Sequence, residues 1–428
     1  MALLSRHTSP LAQAGGGTAG GMNTYVLNSA LALGRLGVRV DMLTATRDLA
    51  APAVVEVAER VLLHRVPARP GADALEGYRH FGSDVAALVG SCDVVHGHYW
   101  QSGVAGLVAA AALGAPLVQS SHTLARVKNA ALGTAPTPEG DVRIHAEDAL
   151  AARAALLVAN TAGEASELVR LYGADPARVR VVEPGVDTEV FRASAGSSDA
   201  TGGPDGNPAA VVAAVERIAV RAGLDLPADA FVVAFVGRLQ PLKAPEVLLR
   251  LAVPLDELLR RDGGAGGRPL ALVVCGAPAG PDVGELDRLR ALAGELPPAI
   301  TVRFTPPRPP AELAALYRAV DAVVVPSRSE SFGLVALEAQ ACGTPVVAAA
   351  VGGLPRAVDD GAAGLLVTGR DPSRWAAAVH TALVDAGERA RLQAAGPRHA
   401  AGFTWTRTAA ALLAAYTDAL AIPARRPT

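Results

Sequence analysis

The feature that most limits the fold of this 428-residue chain is a regular alternation of short apolar runs with alanine- and leucine-rich stretches long enough for a helix. Continuous apolar runs mark strands buried on both faces, and strands separated by helical crossovers pair in parallel. The alternation comes in two series. Strands are expected at residues 38–43, 61–66, 93–96, 116–120, 156–160 and 179–182, and again at 231–236, 270–275, 300–304, 322–325 and 345–348. A chain that is 50% hydrophobic at this length exceeds what one core holds. The expected architecture is α/β, with two doubly wound, Rossmann-like parallel-sheet domains at 1–190 and 191–404 and a C-terminal helix at 405–428. Residues 194–208 have the composition of a flexible connection, 263–267 and 306–310 read as further breaks, and 421–428 as a frayed end.

A formal net charge of −2 with 19% charged residues leaves no global basic field, which excludes a nucleic-acid binder that relies on phosphate contacts. Cys92, Cys275 and Cys342 stand far apart in apolar runs and read as buried thiols in a reducing compartment. No uninterrupted apolar run is long enough for a bilayer and none opens the chain, so a cytoplasmic protein without stable membrane insertion is expected.

The chemistry concentrates in Ser329 to Glu338. The strand before it stops at Pro326, and a helix is expected from about Phe332 to Cys342, which puts Glu330 in the loop and Glu338 in the helix. A helix N-terminus attracts phosphate, and a carboxylate ahead of it accepts hydrogen bonds from sugar hydroxyls. Taken singly, each acid reads more often as a capping acid or a solvated helix acid than as a ligand-binding one. Gly237 to Lys243 directly follow strand 231–236, so Arg238 and Lys243 stand at the C-terminal edge where open α/β sheets bind ligands. Arg238 can fork onto a diphosphate, and Lys243 adds a compact charge to the same group. Two cations with two carboxylates suit a nucleotide sugar.

Gly15 to Gly21 precede an amphipathic helix over 22–36, where glycines let a phosphate approach backbone N–H groups. Gly15, Gly17 and Gly20 also fit GxGxxG, with Asp41 as the ribose acid of an NAD-dependent dehydrogenase. About ten residues separate the N-terminal strand from those glycines, whereas that fingerprint needs a tight turn. His96, His98 and His122 follow strands without a carboxylate or cysteine at ligand spacing, so they read as polar groups lining a cleft rather than a metal site. Arg143 stands four residues before Glu147 on an expected helix, where the two can pair.

Several of these residues coincide with known motifs. Over nearly its whole length the chain resembles the retaining nucleotide-sugar transferases of glycosyltransferase family 4, which have the GT-B fold, and within them the branch that serves mycothiol biosynthesis. The likeness runs through His7-Thr8-Ser9-Pro10-Leu11, Ala19-Gly20-Gly21-Met22-Asn23, His98-Tyr99-Trp100, Val127-Lys128-Asn129-Ala130, Gly237 to Pro245, Ser329 to Val347 and Val351-Gly352-Gly353-Leu354-Pro355.

The resemblance implies two domains facing across a cleft that holds UDP-N-acetylglucosamine. Gly21 would meet the donor phosphate, Arg238 and Lys243 the diphosphate, Glu330 the sugar and Glu338 the ribose. Arg308 matches a position near the base, Gln13 and Ala14 a loop that meets the donor, and His122 a histidine near the reacting sugar. His122, Arg238, Lys243 and Glu330 are thus the catalytic set. The departing diphosphate takes the acceptor proton on the same face, which gives retention without an enzymic nucleophile. For the acceptor, a small polar cyclitol such as inositol phosphate, the matching positions are His7, Thr18, Ala19, Gly20, Gly21, Met22, Asn23, Tyr99, Thr123 and Arg143. No cofactor is needed for the chemistry; a magnesium site matches Tyr317, Arg318, Val320 and Thr344. Relatives often pair, so a homodimer is a further expectation.

Two positions depart from the family pattern. Thr18 stands where an aspartate is usual, and residues 68–81 place Glu76 or a neighbour where a phosphate-binding lysine is usual, with Arg69 and Arg79 as potential substitutes. An acid in place of that cation costs a dianionic ligand a few kcal/mol. The same donor chemistry on a neutral or cationic cyclitol is the alternative that Glu76 favours. A noncatalytic sugar-nucleotide-binding protein is a more distant one.

Overall fold

The computed structural model describes residues 1–69, 71, 73–133, 139–194, 208–261, 267–279, 284–359 and 361–422. Most of the expected connection at 194–208, and most of 263–267 and 421–428, lie outside the described residues.

One sheet contains eight strands: β1 (Ala2–Leu4), β2 (Val40–Thr46), β3 (Val54–Ala58), β4 (Val61–Pro67), β5 (Val95–His98), β6 (Leu117–Ser120), β7 (Leu156–Ala159) and β8 (Val179–Val181). Their spatial order is β3-β4-β2-β1-β5-β6-β7-β8, and every pair is parallel except the edge hairpin β3/β4. A second sheet contains β9 (Phe231–Val236), β10 (Leu270–Cys275), β11 (Thr301–Thr305), β12 (Ala322–Val325), β13 (Val346–Ala349) and β14 (Leu365–Val367). It is parallel throughout, in the order β11-β10-β9-β12-β13-β14. Both folds are doubly wound α/β. The strand order reverses between β1 and β5 in one and between β9 and β12 in the other, and a crevice forms at the carboxyl ends of strands at such a reversal.

The strands read from the sequence are all present; 231–236, 270–275 and 322–325 match at both ends, and the ends of the others differ by at most three residues. Three others were given no bounds. β1 entered only as an N-terminal strand about ten residues before Gly15 and β14 not at all, since three residues each are too short to show a pattern, and β3 is an edge strand whose faces are half-exposed, which blurs the apolar signal. The helix expected at 332–342 spans Leu334–Ala341, and that at 22–36 spans Gly21–Arg35.

The chain divides into two compact units: Met1–Ala12 with Gly21–Gly185 and Trp405–Thr428, and Gln13–Gly20 with Val186–Thr404. Two corrections to the expected boundaries follow. The division falls after Gly185 because Val186 joins the second core and donates its N–H to the Phe403 carbonyl at 3.0 Å. Residues 13–20 belong to the second unit because Ala277 N–H donates to the Gly15 carbonyl at 3.1 Å and Gln13 Nε2 to the Arg308 carbonyl at 2.7 Å. The C-terminal helix Trp405–Ala421 belongs to the first: Tyr416 Oη hydrogen-bonds His96 Nδ1 at 2.8 Å, and Thr408 Oγ1 donates to the Glu183 carbonyl at 2.8 Å. Among the described residues no helix is long and apolar enough to cross a membrane.

Candidate functional site

In the second unit the expected donor residues gather where the loops after β9 and β12 meet. Lys243 Nζ donates to Glu330 Oε2 at 2.6 Å, and Ser327 Oγ donates to the same oxygen at 3.2 Å. Arg328 N–H donates to the Leu242 carbonyl at 2.7 Å and ties the two loops together. Gly352 backs Glu330: its φ is +54°, and a Cβ there would lie 2.0 Å from the Glu330 carbonyl oxygen. Gly353 N–H donates to that same carbonyl at 2.9 Å. Backbone packing therefore sets where Glu330 stands.

Glu338, on helix Leu334–Ala341, accepts from Tyr317 Oη at 3.2 Å. Burial pushes its carboxyl up to about 7, against the lowering effect of that hydrogen bond. Segment 13–20 completes this side. Besides the Arg308 carbonyl, Gln13 Nε2 reaches the Ala14 carbonyl at 3.4 Å, and a Cβ on Gly20 would stand 3.2 Å from Arg238 Nε. Arg308 Nη2 donates to Thr305 Oγ1 at 3.2 Å.

In the first unit the expected acceptor residues lie past the ends of β1, β5 and β6. Arg143, on helix Asp141–Arg153, is the hub. Its Nη1 donates to Tyr99 Oη at 3.0 Å, and its Nη2 to Thr123 Oγ1 at 3.0 Å and the Thr123 carbonyl at 2.9 Å. Nε donates to Glu147 Oε1 at 2.7 Å, and Glu139 Oε1 lies 2.7 Å from Nη1. Burial disfavours the Arg143 charge, yet Tyr99, Glu147 and Glu139 outweigh it and hold the guanidinium above its usual range. The ring of His7 lies 4.6 Å from that of Tyr99. Tyr99 and His122 have φ of +72° and +58°, strain of the order of 1–3 kcal/mol that clusters at functional sites. Asn23 Nδ2 donates to Thr8 Oγ1 at 2.9 Å and to the Ser9 carbonyl at 2.6 Å, so it fixes the loop after β1.

The histidines need correction. His96 and His98 are fully buried and line no cleft. They form core hydrogen bonds, His96 Nε2 with Ser120 Oγ at 2.9 Å and His98 Nδ1 with His122 Nε2 at 2.9 Å. Burial first, then a neighbouring histidine, pushes His96 and His122 down to about 3, so both are neutral at pH 7. The expected acceptor loop is also divided, since Thr18, Ala19 and Gly20 belong with the second unit and Gly21, Met22 and Asn23 open helix Gly21–Arg35 in the first. The dinucleotide alternative fails on geometry. Gly15, Gly17 and Gly20 form no turn out of β1, and Asp41 in β2 is engaged by His64 Nε2 at 2.8 Å.

At the position of the lost lysine, Asp73 caps helix Ala74–Val89 by accepting from Glu76 N–H at 2.8 Å, so Glu76 is a first-turn acid. Arg69 Nε donates to Asp84 Oδ2 at 2.9 Å, and Arg79 is exposed. A further cation against this helix is Arg6, whose guanidinium lies 4.3 Å from the Tyr78 ring centre. Sequence reading missed it, along with Glu139, Ser327 and the Tyr317–Glu338 bond. Arg6, beside the quoted His7 motif, and Glu139, four residues before Arg143, carried a positional hint.

Of the magnesium residues, Thr344 Oγ1 donates to the Tyr317 carbonyl at 2.6 Å and the Arg318 guanidinium is held by Glu216 at 2.7 and 2.8 Å. These two oxygens are hydrogen-bonded to each other, and among the described residues no group of three or more His, Cys, Asp or Glu could hold a metal ion.

Residues 19–190 match the family model described as Glycosyltransferase Family 4, and residues 216–399 that described as Glycosyl transferases group 1. The chain is 45% identical to the D-inositol 3-phosphate glycosyltransferases of Mycobacterium bovis (strain BCG / Pasteur 1173P2) and Mycobacterium tuberculosis (strain ATCC 25618 / H37Rv), over 98% of this chain and 83% of theirs. Among solved structures, sucrose-phosphate synthase from Thermosynechococcus elongatus superposes with a TM-score of 0.80 at 28% identity, over 97% of this chain and 98% of that one. Anabaena HepE in complex with UDP-glucose gives 0.69 at 18%, over 96% and 98%, a likeness of fold.

Proposed function

This chain belongs to glycosyltransferase family 4, and on that footing we propose that it moves N-acetylglucosamine from UDP-N-acetylglucosamine to 1D-myo-inositol 3-phosphate with retention, the step that serves mycothiol biosynthesis. The observation that carries the acceptor is the Arg143–Tyr99–Thr123 cluster at the strand-order reversal of the first sheet, in a chain so similar to enzymes named for that acceptor.

Departure of the diphosphate develops negative charge, which Arg238 and Lys243 are placed to stabilise. Lys243 already bonds Glu330, so as the ammonium turns to the diphosphate the carboxylate is released to accept the donor's sugar hydroxyls. Glu338, once ionised, accepts ribose hydroxyls, and Gln13, Ala14 and Arg308 border the base. His122 is neutral and serves as a hydrogen-bonding group beside the reacting sugar rather than as a cation. The leaving diphosphate takes the acceptor's hydroxyl proton on the face it departs from, so orientation and electrostatics carry the rate. Magnesium at Tyr317, Arg318, Val320 and Thr344 would be structural, steadying the loop after helix Pro310–Ala319.

A second reading, a neutral or cationic cyclitol acceptor, is favoured by the carboxylates already on Arg143 and by Glu76. A UDP-release assay with UDP-N-acetylglucosamine tests both, using inositol 3-phosphate, inositol and an aminocyclitol, with product masses. Turnover selective for the phosphate is expected; turnover only with the uncharged or cationic acceptors would transfer the function to the second reading.

A further inference from the structure

Arg143 shares one of its carboxylates with a second cation. Glu139 Oε1 lies 2.7 Å from Arg143 Nη1, and Lys128 Nζ on helix Ala125–Leu132 donates to the same oxygen. Asn129, next on that helix, holds the main chain of residue 139 at both polar groups: its Oδ1 accepts from Glu139 N–H at 2.7 Å and its Nδ2 donates to the Glu139 carbonyl at 3.1 Å. The Glu139 side chain is thereby anchored at its root, with its carboxylate between two cations. On the other side of Arg143, Glu147 is committed elsewhere, because its Oε2 accepts from Tyr172 Oη at 2.6 Å and Ala125 N–H at 2.9 Å.

Two cations therefore face two carboxylates, and the cluster is balanced as it stands. Its carboxylates differ in kind. Glu147 is buried under three hydrogen-bonding groups, Arg143, Tyr172 and the Ala125 N–H, whereas the Glu139 side chain keeps 24% of its surface and is held at its carboxylate by the two cations. An anion that pairs with Arg143 and Lys128 competes with Glu139 and leaves Glu147 in place. With Glu139 turned aside, the cluster carries one net positive charge beside Tyr99 and Thr123.

We infer that Glu139 is an internal competitor for the acceptor's phosphate, and that Lys128 is the second phosphate-binding cation, so that the Lys128–Glu139–Arg143 clamp sets how tightly a phosphorylated acceptor binds. This rests on the phosphorylated-acceptor reading above. Lys128 and Glu139 are specificity-determining residues in this scheme: they act on recognition of a charged acceptor and touch no reacting atom.

Substituting Glu139→Gln keeps the shape of the side chain and removes the competing charge, so the KM for inositol 3-phosphate should fall about tenfold, the size of one Coulombic contact at a part-exposed site, carried by KM rather than kcat. Lys128→Gln should raise that KM about tenfold. Inorganic phosphate, titrated calorimetrically into the full chain, should bind Glu139→Gln more tightly than wild type by a similar factor and Lys128→Gln more weakly. If Glu139→Gln raised the acceptor KM, or bound phosphate no better than wild type while melting at the same temperature, Glu139 would be a structural support and the inference would fall. The phosphate titration separates two failures. Wild type that turned over only unphosphorylated acceptors, while Glu139→Gln still gained phosphate affinity, would overturn the acceptor reading and leave the clamp standing.

Discussion

The two sheets place charge at their strand-order reversals in opposite ways. In the first unit Arg143 is 3% exposed and its donors are engaged by Tyr99, Thr123, Glu139 and Glu147. In the second, Lys243 is part-exposed and bonds a single carboxylate, and the loops around it approach one another by backbone, through Gly352 and Gly353 on Glu330 and Gly20 beside Arg238. A buried, fully engaged cation belongs to the fold as much as to the site, because removing it strands its partners. A part-exposed cation on one partner can exchange that partner for substrate. The same type of residue is therefore expected to fail differently in the two places.

The largest effect should fall on stability in the first unit. Arg143→Ala strands Glu147 and Glu139 and should cost about 3–5 kcal/mol in urea denaturation; a loss below about 1 kcal/mol would abolish the contrast. Lys243→Ala should lower turnover roughly a hundredfold, about 2.7 kcal/mol of lost charge stabilisation, with stability changed by only about 1 kcal/mol. Near-normal turnover there would remove Lys243 from the diphosphate. Gly352→Ala should act on the donor side alone: a Cβ at +54° that meets the Glu330 carbonyl displaces that loop and should raise the donor KM about tenfold, or roughly 1.4 kcal/mol. An equal rise in the acceptor KM would show that the two regions are not separable in this way.

The buried histidines of the first unit add a pH dependence of their own. His96 and His122 are held down at about 3, so between there and their ordinary range near 6.5 the folded chain binds fewer protons than the unfolded one. Stability contributed by keeping them neutral is complete above about pH 6.5 and is lost as pH falls below it, by at most about 1.4 kcal/mol per pH unit for each histidine. Replacing His96 with asparagine should shallow the fall in denaturation free energy between pH 7 and pH 5. An unchanged slope would mean that His96 already takes up its proton in the folded state.

Most of the fold was legible because parallel sheets use continuous apolar runs, and Phe231–Val236 or Leu270–Cys275 admit few other readings. Ala2–Leu4 showed only as an unbounded N-terminal strand, since three residues carry no period, yet it is the central strand on which the first reversal turns. On the donor side, Arg238, Lys243 and Glu330 follow strand ends directly and were visible as motif and position together. The acceptor side was less so. Glu147 announced its pairing with Arg143 by its spacing of four; Glu139 stands four residues to the other side, but ahead of helix Asp141–Arg153 where helical spacing is not assured, and Lys128 meets Glu139 only through tertiary packing, for which local sequence carries no signal. The buried histidines misled because a polar residue after a strand reads as a lining group until its burial is known.

The most direct test of this division of labour is an initial-rate matrix in which donor and acceptor concentrations are both varied for wild type, Lys243→Ala and Arg143→Lys, the last keeping charge while losing the guanidinium fork. Lys243→Ala should appear in kcat at saturation of both substrates, and Arg143→Lys as an increase of about tenfold or more in the KM for inositol 3-phosphate with the donor KM little changed. Equal changes in the two KM values for Arg143→Lys, or a purely KM-based defect for Lys243→Ala, would contradict the assignment of acceptor binding to the first unit and diphosphate stabilisation to the second.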